Sequence, residues 1–194
     1  MIDMLREDRI SLYRLLAQAL AYPDEDFTGR VQESLSKLPL ELWSDPDLDL
    51  SSFLRELAGL SLLPLEQLQG EHTRLFINAY PHVPCPPYES VYTNGELLGQ
   101  AAEEMDVLCR RWGLAVDKEE VDHAGVELEI AAFLLTIGSP EAVATAERFL
   151  VEHLRSWLPR FAADVARESR LGFYQAMGRL LGAVLEHGVK LAPA

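Results

Sequence analysis

Apolar residues recur at helical spacing through almost the whole chain while strict alternation is scarce, a pattern that predicts an all-α protein. Leu5, Leu12, Leu15, Leu16, Ala19 and Leu20 form one stripe that stops at Tyr22-Pro23-Asp24, so a first helix is expected over about 3–21. Asp24 to Asp26 supply capping oxygens for a short helix that ends near Leu38-Pro39, and Trp43-Ser44-Asp45-Pro46-Asp47 reads as a loop. A helix over about 50–62 precedes another that starts at Pro64 and runs toward Phe76. Residues 81–87 hold four prolines and cannot be helical, which makes them the sharpest break in the chain. Gly95 to Gly113 and Lys118 to Ile137 then read as two long helices, and Ser139-Pro140 as the start of a third that carries Phe149, Leu154 and Trp157 before Pro159 interrupts it. Phe173, Tyr174, Met177, Leu180, Leu181, Val184 and Leu185 mark a last amphipathic helix. The sum is a compact bundle of about eight or nine helices, a single domain over 1–194, with no internal repeat.

Charge narrows the classes of partner. The 194 residues carry 31 Asp plus Glu against 17 Lys plus Arg, a net −14, which repels phosphate backbones and argues against nucleic acid as a ligand. The acid is concentrated before residue 151, and a surface of this sign favours cationic partners. Cys85 and Cys109 form no C-x-x-C pair and suit reduced thiols. The first residues lack the basic and apolar regions of an export signal, and no apolar run approaches the ~18 to 20 residues of a spanning helix. A cytoplasmic protein with no stable membrane insertion is expected.

Candidate chemistry lies in two places. From Ala131 to Leu135 one helix is apolar all round, as a central helix is, so the polar residues just before it stand out. His123 and Glu127 are spaced i, i+4 and share a face with Glu120, Asp122 and Glu129 line another side, and Gly125 suits a close approach by a backbone or ligand. An internal polar network accounts for these residues as well as a binding site does. Glu120-x-x-His123 is a fragment of a carboxylate metal centre, so a helical metalloenzyme using Glu120, His123 and Glu127 is a remote alternative, but the second such motif a di-metal site needs is absent. His82-x-x-Cys85 has ligand spacing without a complete donor set. Ser90 has no G-x-S-x-G elbow and no Gly-rich phosphate loop exists, so neither catalytic residues nor a cofactor or metal are expected.

The second place is Glu71-His72-Thr73-Arg74-Leu75-Phe76 followed, past the prolines, by Pro86-Pro87-Tyr88-Glu89-Ser90-Val91-Tyr92. Rigid aromatics beside carboxylates make a surface suited to peptides, because little conformational entropy is left to lose. The same prolines could equally route the chain between helices while the tyrosines fill the core.

Four motifs occur in order: Glu71-x-Thr73-Arg74-Leu75-Phe76, Pro86-Pro87-Tyr88-Glu89-Ser90-x-Tyr92, Asp122-His123-x-x-x-Glu127-Leu128-Glu129, and Phe149-x-x-x-His153-Leu154-x-x-Trp157. Together they resemble the TorD/DmsD family of redox-enzyme maturation chaperones and, more distantly, NarJ. The resemblance implies a non-enzymatic, all-helical cytoplasmic chaperone for a molybdopterin oxidoreductase catalytic subunit. Such a chaperone binds the twin-arginine leader, the apoenzyme or both, assists cofactor insertion and delays export until the client is folded. It also implies a monomer or a domain-swapped homodimer, with halves 1–115 and 119–194 exchanged through a connection such as 114–119 or 138–140. Asp122 and His123 are the positions tied to leader binding. The client site expected on this basis comprises Arg74, Phe76, Pro86, Pro87, Tyr88, Glu89, Ser90, Tyr92, Asp122, His123 and Glu127. The leader's apolar stretch would dock near Phe76, Tyr88 and Tyr92, its arginines would meet Glu89, Asp122 and Glu127, and His123 would titrate near neutrality.

Overall fold

The computed structural model describes residues 5–116 and 121–187, and within them the chain is helical. Helices α1 (Arg6–Leu20), α2 (Phe27–Ser36), the single turn α3 (Leu40–Trp43) and α4 (Leu50–Gly59) are followed by α5 (Leu65–His72), which widens into a π turn at Thr73–Ile77. Past the proline loop come α6 (Glu89–Asn94), α7 (Gln100–Arg111), α8 (Ala124–Ile137), α9 (Pro140–Phe149), α10 (Arg155–Glu168) and α11 (Gly172–His187). Because α9 and α10 are joined by a π turn at Leu150–Leu154 without a break, they form one long helix. Counted so, and without α3, the described residues hold nine helices, in keeping with the period-3.6 pattern. None of them is long and apolar enough to cross a membrane.

The caps follow the sequence closely where they are local. Asp8 in the first turn of α1 accepts from the Leu5 N–H at 2.9 Å, Ser139 Oγ accepts from the Ala142 N–H at 3.2 Å with Pro140 behind it, and Gly138 ends α8 at φ +68°. α8 is the central helix, packed between α1 and α9, with Ala124, Leu128, Ala131, Leu134 and Leu135 buried; Phe133 and Ile137 at its far end reach solvent. α10 and α11 pair along their length, and α4 lies against α11.

Three expected boundaries move. α7 begins at Gln100 rather than Gly95, because Gly95, at φ +82°, caps the short α6. α8 begins at Ala124, after His123; Lys118 to Glu120, where its start was expected, lie outside the described residues, as does part of the 114–119 connection. Pro159 does not interrupt its helix but sits inside α10. Proline withholds an N–H and crowds the carbonyl four residues earlier, here Arg155, and the π turn immediately upstream widens the helix where that strain falls.

Candidate client-binding site

The two segments singled out by sequence meet. Pro87 to Glu89 run antiparallel to Asp122 to Ala124: the Glu89 N–H donates to the Asp122 carbonyl at 3.0 Å, the Ala124 N–H donates to the Pro87 carbonyl at 2.9 Å, and Tyr88 faces His123 across the bridge. Asp122 extends the junction with its side chain, Oδ2 accepting from the Ser90 N–H at 2.9 Å in the first turn of α6. His123 caps α8 through Nδ1, which accepts from the Gly125 N–H at 3.1 Å. A Cβ on Gly125 would stand 3.3 Å from that Nδ1, so glycine lets the imidazole fold back over the helix start.

Behind the junction the expected carboxylates turn inward. Glu89, Asp122 and Glu127 are all buried, the last two completely. Glu89 accepts from His153 Nδ1 at 2.8 Å and Ser156 Oγ at 3.2 Å, and Glu127 accepts from Trp157 Nε1 at 3.0 Å. Burial, followed by the negative charge of Glu89, pushes the Glu127 carboxyl well above the usual carboxylate range, and a hydrogen bond with Glu89 acts in the same direction. For His153, burial works to depress its basicity, but the hydrogen bond and charge of Glu89 outweigh that and raise it. Burial, then nearby His72, lowers His123 to about 4, leaving it neutral and an acceptor at pH 7; titration near neutrality is therefore corrected.

Arg74 is similarly committed within the fold. Its Nε and Nη2 donate to Glu71 at 2.8 and 2.9 Å, and Nη2 also donates to the Glu168 carbonyl at 2.7 Å, which ties the end of α5 to the end of α10. Tyr92 donates to Asp164 at 3.1 Å and packs its ring on Trp157 and Phe161, apart from Tyr88. Cys85 is fully buried, its thiol pushed up to about 12 chiefly by burial, whereas His82 is exposed, so the His82-x-x-Cys85 pair offers no metal site. Of the three ligands in the remote metalloenzyme reading, Glu120 lies outside the described residues, while His123 Nδ1 is engaged by the Gly125 N–H and Glu127 faces Trp157 and Glu89, so neither described residue is free to pair with the other on a metal.

A cavity of about 340 Å³ opens on the outer side of the junction. Phe76, Pro87, Tyr88 and His123 line it, four of the residues expected from sequence. The Tyr88 ring stands edge-on to His123 at 5.4 Å between centroids, and Phe76 stands edge-on to His72 at 4.9 Å. Sequence reasoning missed Tyr22, His72 and Ile77 in this wall. Tyr22 was read as a helix stop and His72 as a spacer within a motif, and nothing local marks either as a pocket residue. Glu129, exposed on α8, is the carboxylate at its edge. Ile77, in the cavity wall, is more than half exposed and gives the mouth an apolar edge.

Residues 44–163 match the sequence model of the family described as nitrate reductase delta subunit, a stretch that covers more than half of the chain. The chain belongs to that family. The matched region contains every expected client-site residue from Arg74 to Glu127. It is 29% identical over 143 residues to the chaperone protein TorD of Actinobacillus succinogenes, covering 71% of this chain and 72% of that one. It is 33% identical over 108 residues to the chaperone protein TorD of Vibrio parahaemolyticus, spanning about half of each (49% and 50%). The crystal structure of a protein from Archaeoglobus fulgidus, described as a redox enzyme maturation protein, superposes with a TM-score of 0.68 at 29% identity over 91% of this chain and 93% of that one. The all-α delta-subunit and TorD fold is thus shared, and the relatives are chaperones, a class distinct from enzymes.

Proposed function

We propose that this chain is a maturation chaperone for a molybdopterin oxidoreductase and that the cavity beside the Tyr88–His123 junction receives the client's twin-arginine leader before cofactor insertion and export. The kinship with TorD chaperones supports the class. The observation that supports the site is the assembly of Phe76, Pro87, Tyr88 and His123, drawn from three separate segments, around one hollow with aromatic walls and a carboxylate at its edge. An apolar side chain of the leader enters between Tyr88 and Phe76, while a guanidinium is met by Glu129 rather than by Glu89, Asp122 and Glu127, which are sealed in the core. Asp122 and His123 then act by holding Tyr88 in place.

Isothermal titration with a synthetic twin-arginine leader tests this. Tyr88→Ala is expected to weaken binding by about tenfold or more, the loss of roughly 1.4 kcal/mol that one aromatic anchor supplies. Glu129→Lys is expected to weaken it and flatten its dependence on salt. Undiminished affinity in both variants would overturn the assignment of the site. A pull-down in which a leader-deleted client binds as well as the intact one would instead favour a chaperone that grips the mature apoenzyme.

A further inference from the structure

The loop between α3 and α4 meets the last turn of α11 in an arrangement that neither the cavity nor the client reading uses. Asp45 Oδ2 lies 3.2 Å and Asp47 Oδ2 lies 3.7 Å from His187 Nε2, and the three donor atoms are all within 4.8 Å of one another. The Asp45 and His187 side chains are 3% and 9% exposed, whereas Asp47 is 62% exposed, so the cluster is closed on the protein side and open to solvent on one edge.

The surroundings of the His187 ring make this cluster unusual. Its Nδ1 lies 2.9 Å from the Ala183 carbonyl, an acceptor, so Nδ1 carries a hydrogen. Nε2 is buried and makes no hydrogen bond, although carboxylate oxygens of Asp45 and Asp47 lie 3.2 and 3.7 Å from it. A buried ring nitrogen without a partner, beside two carboxylates, is a donor set that suits a cation. Two donors bound to one tetrahedral Zn²⁺ at its usual bond lengths lie roughly 3.3 Å apart, close to the 3.2 and 3.7 Å that separate His187 Nε2 from the two aspartate oxygens. The Nδ1–H to carbonyl contact is also the outer contact that orients a ligating imidazole. Asp45 is held in turn, its Oδ1 accepting from the Asp47 N–H at 3.0 Å.

We infer that Asp45, Asp47 and His187 bind one divalent transition-metal ion, of the Zn²⁺ type that suits one imidazole and two carboxylates, with water completing the tetrahedron on the exposed side. The ion fastens the Asp45–Asp47 loop to the end of α11, a structural role at a distance from the client cavity.

Equilibrium dialysis of the tag-free full-length chain against Zn²⁺ alone, with metal analysis, is the test. One zinc per chain is expected, with a thermal midpoint that rises on zinc and falls on chelation, and with both effects absent in His187→Gln. Asp47 is exposed, so Asp47→Asn leaves the fold intact by circular dichroism. Because loss of even an outer-shell partner weakens a metal site about tenfold or more, loss of this ligand is expected to weaken zinc at least that much. Substoichiometric zinc in the natural chain overturns the inference and identifies the cluster as an imidazolium paired with two aspartates. Stoichiometric zinc retained by both variants overturns it as well, since the ion would then sit elsewhere.

Discussion

Glu127→Gln is expected to be more stable than the natural chain at pH 7, by a margin that vanishes in acid. Burial and Glu89 raise the native carboxyl of Glu127 well above its ordinary value of 4.5, so just above that value the folded chain keeps a proton that the unfolded chain releases. In that window the native state binds more protons than the unfolded state, and its stability falls as pH rises, by about 1.4 kcal/mol per pH unit, until the raised native value is reached. Glutamine needs no proton. Its amide oxygen can accept from Trp157 Nε1 and its NH₂ can donate to Glu89, so both native contacts survive the change. Urea unfolding of the two chains at a series of pH values should therefore give curves that coincide below pH 4.5 and diverge above it in favour of the variant. A pH-independent difference would mean that folding does not raise the Glu127 carboxyl. Glu127→Ala serves as the opposite control, because it strands the buried indole N–H and opens a cavity, and is expected to destabilise at every pH.

This carboxyl also shows where sequence reading succeeds and where it stops. Helices with a one-sided stripe, such as α1 and α11, were legible because their core faces are written locally at a period of 3.6. Local chemistry likewise placed the Ser139-Pro140 start of α9. The start of α8 was misplaced because Val121 sits at a spacing that continues the apolar pattern, whereas the backbone of Asp122 and Ala124 is engaged by Glu89 and Pro87, more than 30 residues away. No local signal encodes that pairing. The same non-local contact decides the fate of the carboxylates. In sequence Glu89, Asp122 and Glu127 could serve a basic leader, and Asp122 and Glu127 equally an internal network; the fold covers all three with α6, α8 and α10 and bonds them to the Ser90 N–H, His153 and Trp157. The motif residues Phe76, Pro87, Tyr88 and His123 line one cavity, but Tyr22 and His72, which line it with them, come from helix ends whose sequence reads only as core or punctuation.

Two glycines one turn apart on α11 are expected to respond to alanine with opposite signs. At Gly178 a Cβ would stand 2.6 Å from the Ala162 carbonyl oxygen and 2.8 Å from the Ala166 nitrogen, both backbone atoms of α10. Neither can swing aside as a long side chain would, so the two helices must separate along the face that carries Phe161, Val165, Tyr174 and Met177, all buried. Forcing extra volume into such a packed seam costs about 1–3 kcal/mol, and the backbone location places Gly178→Ala toward the upper end. At Gly182 the nearest atom to a new Cβ is the Ala162 Cβ at 3.9 Å, an ordinary contact. There the helix gains alanine's lower conformational entropy in the unfolded chain without a clash, and Gly182→Ala is expected to stabilise by about 0.5–1 kcal/mol. Thermal or urea unfolding of the two variants against the natural chain checks both at once. Because helix propensity alone would favour alanine equally at either position, a stabilised Gly178→Ala would show that α10 and α11 do not make this close approach in solution, whereas the opposed signs isolate it.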